Sequence, residues 1–114
     1  MKQTKIYLRL ATYKWMHGLK KKEVYEYVEV VHDKIKYLQP IDFDPKIPPE
    51  ASRHIAGFEE YKLKSIRDID HFLALLVDDE RIPWKTFEWL LDILGEIAQR
   101  ERNKNAIKKI NLKK

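Results

Sequence analysis

Hydrophobic residues recur at helical spacing over much of the chain. The clearest run extends from Lys20 to Gln39, and Pro40 ends it because the residue before a proline avoids the helical conformation. The apolar side chains of this run follow the i, i+3, i+4, i+7 rule, at Val24, Tyr27, Val28, Val31, Ile35 and Leu38. We predict a helix here, although β-branched residues have a weak intrinsic preference for helices.

The first apolar segment, from Thr4 to His17, fits two kinds of element. Ile6, Leu8 and Leu10 alternate with polar or amphipathic residues, which is typical of a strand, but apolar residues also form a wide helical stripe. The length of the segment favours a helix. Gly18 would then end it as a C-cap, where a positive φ costs glycine little.

Three further helices are predicted downstream. One covers about 49–62, begins at Pro49, which suits the first helical position, and places Ile55 and Phe58 in its apolar stripe. Ser65 and Asp68 resemble a capping box that opens a second helix, through Asp79. The third begins near Pro83 and carries a strong apolar stripe as far as Gln99.

These patterns predict an all-α fold, a compact bundle of four to five helices with one proline-rich ordered loop at 40–49. Residues 1–99 form a single helical domain in this interpretation. Residues 100–114 form a basic C-terminal extension, either a continuation of the last helix or a tail.

Composition narrows the class of protein. The 114 residues contain no cysteine, which excludes disulfides and thiolate metal sites, and the three glycines lie too far apart for a phosphate-binding loop. The apolar runs are far shorter than the roughly 20 residues of a membrane span, so we expect no membrane contact. Basic residues interrupt the apolar N-terminal segment and break any signal-peptide core, so we expect a cytoplasmic protein. Serine, threonine, asparagine and glutamine together number only eleven, which suits a heat-adapted protein or a lysine-rich mesophilic or viral one.

Charge is distributed unevenly along the chain. The net charge of +5 divides into +7 for residues 1–22, −8 for residues 23–99 and +6 for residues 100–114. The basic ends could bind phosphates, or they could lie against the acidic middle of the same chain or of another copy.

The first functional hypothesis is a small non-enzymatic accessory protein that binds the phosphates of nucleic acid without a cofactor. Basic side chains neutralise phosphates, and aromatic side chains stack on exposed bases. The residues assigned to this role are Lys2, Lys5, Arg9, Lys14, Lys20, Lys21, Lys22, Arg100, Arg102, Lys104, Lys108 and Lys109.

The second hypothesis is a protein–protein interaction module, such as a viral or plasmid inhibitor, a small subunit of a complex or an immunity protein. A homo-oligomer is compatible with either hypothesis. Aromatic residues are enriched at binding hot spots, and the candidates for the partner interface are Tyr7, Trp15, Trp84 and Trp89.

A third and more distant alternative is a metal-dependent enzyme. Glu88 and Asp92 have the Glu-x-x-x-Asp spacing and resemble part of the magnesium site of all-α nucleoside triphosphate pyrophosphatases. That resemblance implies a partner motif on an earlier helix, near Glu26 and Glu29. Because amphipathic helices ordinarily place carboxylates on their solvent face, we assign no catalytic residue and no metal ligand.

Overall fold

A computed structural model describes residues 2–39 and 47–112 of the chain, with side chains described as far as Asn105. Four strands are followed by two helices, so the fold is α+β. The elements are β1 (Thr4–Trp15), β2 (Lys20–His32), β3 (Ile35–Leu38), β4 (Ser52–Leu63), α1 (Ile66–Val77) and α2 (Trp84–Leu112).

The strands form one antiparallel sheet in the order β3-β2-β1-β4. A hairpin joins β1 to β2, and its register runs from the pair Thr4 and His32 to the pair Trp15 and Lys20 at the turn. On its other side β1 pairs with β4, from Thr4 opposite Leu63 to Lys14 opposite Ser52. The first strand is therefore central, and β3 and β4 are the two edges.

Both neighbours of β1 contain a β-bulge at the same level of the sheet. Arg9 lies opposite Tyr27 while Leu10 lies opposite Tyr25, so Glu26 is an extra residue in β2. Ala56 is extra in β4, between Gly57 and Ile55. A bulge reverses the alternation of side chains between the two faces of a strand.

The two helices cover one face of the sheet, which we call the inner face; the opposite face is the outer face. Apolar side chains of the inner face and the helices form one core. Its most deeply buried members are Ile6, Leu8, Tyr25, Val28, Val30, Ile69, Leu90, Leu94 and Ile97.

The helical layer covers only part of the sheet. The Tyr25 backbone N–H donates to the Arg81 carbonyl at 2.8 Å, which places the α1–α2 connection beside the middle of β2. The core cluster contains no residue from 11–24. Ala11, Thr12 and Val24 are still buried, and the part of the β1–β2 hairpin beyond them projects past the helices. The molecule is elongated, at 70 × 21 × 20 Å.

The prediction of an all-α helical bundle is wrong. The segments 4–17, 20–39 and 49–62, predicted as helices, form the four strands. In β2 and β4 the bulges explain the error, because an extra residue places side chains that are three apart on the same face. Ile55 and Phe58 both lie on the outer face for this reason. β1 has no extra residue, and there the length of the segment led to the wrong prediction.

The two helices after Leu63 are confirmed. Ser65 is the N-cap of α1, and its hydroxyl accepts a hydrogen bond from the Asp68 N–H at 3.1 Å. The last helix begins directly after Pro83 and continues past Gln99 to Leu112. Of the predicted proline-rich loop, residues 40–46 lie outside the described part of the chain.

Candidate nucleic-acid interface

The apex of the β1–β2 hairpin is a tight turn of unusual conformation. Met16, His17 and Gly18 have φ values of 54°, 54° and 83°, and the Leu19 N–H donates to the Met16 carbonyl at 3.0 Å. Positive φ values are typical of tight hairpin turns, and both residues of the β2–β3 turn have them as well. The turn also leaves apolar side chains exposed, with Leu19 81% accessible.

Lysines line both strands just below this turn. Lys14 lies directly opposite Lys21, and Lys20 lies opposite Trp15. Like charges in directly opposed positions destabilise a sheet. Among the described residues, neither Lys14 nor Lys20 forms an ion pair, whereas Lys21 Nζ lies 3.1 Å from a Glu23 oxygen. The arrangement leaves positive charge available at the end of the hairpin.

The beginning of β4 adds a third strand to this region. The Ser52 hydroxyl donates to the Lys14 carbonyl at 3.2 Å, and Arg53 lies opposite Tyr13. A surface groove beside the turn is lined by Trp15, His17 and Glu50, among others. We call residues 14–22 the hairpin tip, with Ser52 and Arg53 as its flank.

Below the tip, on the outer face, Glu26 is the shared carboxylate partner of two arginines, Arg9 and Arg53. Its side chain is 7% exposed, accepts hydrogen bonds from Tyr13 Oη and from Arg53 Nε and Nη2, and lies 4.0 Å from Arg9 Nη2. Arg9 also packs over the Tyr27 ring, 5.3 Å from its centroid. Arg9 and Arg53 thus have a carboxylate partner, whereas Lys14 and Lys20 have none among the described residues.

The titration of this cluster follows from its geometry. Burial alone would raise the pKa of Glu26, but the hydrogen bonds from Arg53 and Tyr13 outweigh burial and hold that pKa below its ordinary value. Burial, with the hydrogen bond to Glu26, raises the pKa of Tyr13 to about 12. The cluster is therefore an ionised Glu26 with a neutral Tyr13 at pH 7.

The other predicted nucleic-acid contacts in the N-terminal segment lie away from the tip. Lys2 Nζ is 2.8 Å from an Asp33 oxygen, at the end of the sheet opposite the turn. Lys5 is half-buried and pairs with Val31, also near that end. Three of the basic residues of the first 22 (Lys2, Arg9 and Lys21) are thus paired with carboxylates of the acidic middle of the chain.

The basic C-terminal segment lies at the opposite end from the tip, because α2 leads away from the hairpin. Glu101 interacts electrostatically with Lys2 and His32, which fixes this part of the helix beside the first residues of β1. Arg100 lies 3.8 Å from Glu96, and Lys104 lies 3.6 Å from Glu101. Arg102 is exposed, and the side chains of Lys108 and Lys109 lie outside the described residues.

The four aromatic residues proposed for a partner interface occupy four different places. Trp89 packs against the core, and Tyr7 is half-buried on the outer face, opposite Glu29 and Glu60. Trp15 belongs to the hairpin tip. Trp84 is 64% exposed at the start of α2, with its ring centroid 5.6 Å from that of Phe87.

The acidic residues do not form the arrangement that the resemblance to pyrophosphatases implies. Glu26 and Glu29 lie on a strand rather than a helix, and each has a cation beside it, Arg53 and Lys36 respectively. Within the described part of the chain, no group of three or more histidine and acidic side chains could hold a metal ion.

Sequence reasoning misses two features of this surface. Arg53 reaches the tip region only through the pairing of β1 with β4, and it lies 27 positions from Glu26 along the chain. The helical pattern places Ile55 and Phe58 in a buried stripe, yet both are exposed. A run rich in Val, Tyr and Thr, with Gly18 between two such runs, is the sequence pattern that could have indicated a hairpin.

Comparison with protein-family models, with curated proteins and with solved structures finds no match to this chain. None of the described helices is long and apolar enough to cross a membrane. Functional inference therefore rests on the chemistry of the surface itself.

Proposed function

We propose that this protein binds nucleic acid through the hairpin tip, as a non-enzymatic accessory factor that contacts phosphates. The observation that carries the proposal is the opposition of Lys14 and Lys21 on a hairpin that projects beyond the helices. Phosphates would neutralise the repulsion between these two lysines, of which Lys21 has Glu23 as a counter-ion and Lys14 has none among the described residues.

The shape of the hairpin tip is also suited to binding nucleic acid. A two-stranded β-ribbon fits the major groove of duplex DNA, whereas apolar side chains at the end of such a ribbon can wedge between base pairs in the minor groove. Leu19 and Met16 occupy that position between the lysines.

The chemistry of the tip favours phosphate contacts over the reading of bases. Lysine is a point charge without the planar, bidentate geometry with which arginine recognises guanine. The two arginines nearest the tip, Arg9 and Arg53, are held by Glu26. Binding should therefore be strongly dependent on salt and weakly dependent on sequence.

Fluorescence anisotropy of labelled duplex DNA, single-stranded DNA and RNA tests the proposal. The triple variant K14Q/K20Q/K21Q should bind more weakly than the unmodified protein on the preferred ligand. For duplex DNA, the slope of log K against log salt should become less steep by about 0.9 for each phosphate that the variant no longer neutralises.

A matched control removes the same charge elsewhere. The variant K36Q/K62Q/K64Q lowers the net charge equally, at exposed lysines away from the tip. It should retain most of the affinity and the salt slope. Equal losses in both triple variants, or no binding by the unmodified protein at low salt, would contradict the proposal.

A further inference from the structure

The strand β4 is a long edge strand. It pairs with β1 on one side only, and within the described residues no strand pairs with its other side. An edge strand of 12 residues presents a row of backbone donors and acceptors that another strand can use. Natural proteins usually shorten, charge, bulge or cover such an edge. The β4 strand has charged side chains and one bulge, but it is long and contains no proline.

This edge also carries exposed apolar side chains on the outer face. Phe58 is 76% exposed and Ile55 is 49% exposed. The bulge at Ala56 brings them to the same face, although they are three residues apart. Basic Arg53 and acidic Glu60 lie on that face as well, on either side of the apolar pair.

We propose that two copies of this chain associate through β4, in antiparallel pairing about a two-fold axis between Ala56 and Gly57. Ile55 of each copy then lies opposite Phe58 of the other, and Arg53 lies opposite Glu60. On the inner face the same register places His54 opposite Glu59. The two sheets become one sheet of eight strands.

The sequence of β4 selects this register over its neighbours. A shift of two residues in one direction places Arg53 opposite Lys62, and a shift in the other direction places it opposite Phe58. Opposed like charges destabilise a strand pair, whereas aromatic with β-branched pairs and opposite charges stabilise it. By symmetry each favourable pair forms twice.

The contact of Arg53 with Glu26 is compatible with this pairing. Glu26 accepts from Nε and Nη2 of Arg53. A guanidinium has five N–H donors, so Arg53 can hold Glu26 and still donate to Glu60 of the second copy. Glu26 would then orient the Arg53 side chain for the interface.

Sedimentation velocity on the full chain tests the association. The unmodified protein should sediment as a dimer of the 13.8 kDa chain, and the variant I55S/F58S as a monomer with unchanged circular dichroism. A control variant, L19S/V77S, removes two exposed apolar side chains away from β4 and should stay dimeric. A monomeric unmodified protein, or a dimer that I55S/F58S leaves intact, would overturn the proposal.

Oxidative crosslinking tests the register, because the chain has no cysteine of its own. Chains carrying I55C and chains carrying F58C are mixed at equal concentration, allowed to exchange and oxidised. The disulfide-linked product should be mainly the mixed dimer, since Ile55 opposes Phe58 and neither opposes itself. Homodimers in excess, or products in the statistical 1:2:1 ratio expected for unselective pairing, would contradict this register.

Discussion

At the scale of single residues, Glu26 of β2 connects three strands on the outer face, because its carboxylate contacts side chains of β1 and β4. It is an extra residue in β2, and the bulge that contains it brings its carboxylate to Tyr13, Arg9 and Arg53. Because the carboxylate is nearly buried, loss of its charge leaves Arg53 and Arg9 without their shared partner.

The variant E26Q should therefore be less stable at neutral pH, by about 1–2 kcal/mol, a value discounted for the partial exposure of Arg53. The folded pKa of Glu26 lies below its ordinary value of 4.5, so its ionised form stabilises the fold above that value. This contribution is lost as the pH falls through the folded pKa.

Urea unfolding at pH 7 and at pH 3 measures this difference. The gap in unfolding free energy between the unmodified protein and E26Q should narrow at pH 3. Glu60 is exposed on the same face, so E60Q is the control and should change stability little at either pH, under conditions where the protein is monomeric. A gap for E26Q that is constant with pH would contradict the role of its charge.

At the scale of elements, α1 depends on its N-cap. Ser65 is extended, its hydroxyl accepts from the Asp68 N–H, and an Asp68 oxygen accepts from the Lys64 N–H at 2.8 Å. The variant S65A should lose about 1 kcal/mol of stability in thermal or urea unfolding. Ser52 bonds a carbonyl at the exposed hairpin tip, so S52A should lose clearly less; equal losses would contradict the assigned cap.

The sequence predicts the helices better than the strands for a local reason. Ser65, Asp68 and Pro83 act within one turn of the helices they begin, so their effect can be read from neighbouring positions. The bulges at Glu26 and Ala56 depend on the pairing of β1 with both neighbours. In β2 and β4 they change the spacing of apolar side chains on one face from two residues to three, which is a helical spacing. The basic residues of the tip are evident in the sequence, whereas the strand pairing that brings Arg53 beside them is not.

At the scale of the whole molecule, the basic segments of one chain lie at opposite ends. In the proposed dimer the strands of the two copies run in opposite directions, so the hairpin tip of each copy points the same way as the C-terminal helix of the other. The dimer then presents, at each end, the lysines of one tip and the cations Arg100, Arg102 and Lys104 of the second copy.

This arrangement predicts a coupling between assembly and binding. The variant I55S/F58S changes no charge, yet a monomer can place only one basic segment on a given stretch of nucleic acid. Its salt slope in anisotropy should therefore be smaller than that of the dimeric protein. An unchanged salt slope in a variant shown to be monomeric would mean that dimerisation does not contribute to binding, and it would contradict this prediction.

Binding of nucleic acid by the hairpin tip is tested most directly by a titration of ¹⁵N-labelled full-length protein with a short duplex, followed by two-dimensional NMR. If the hairpin tip binds the duplex, the largest amide shifts occur at residues 14–22 and fade when salt is raised. A complex that forms while these amides stay unchanged would contradict the assignment of the hairpin tip as the nucleic-acid contact.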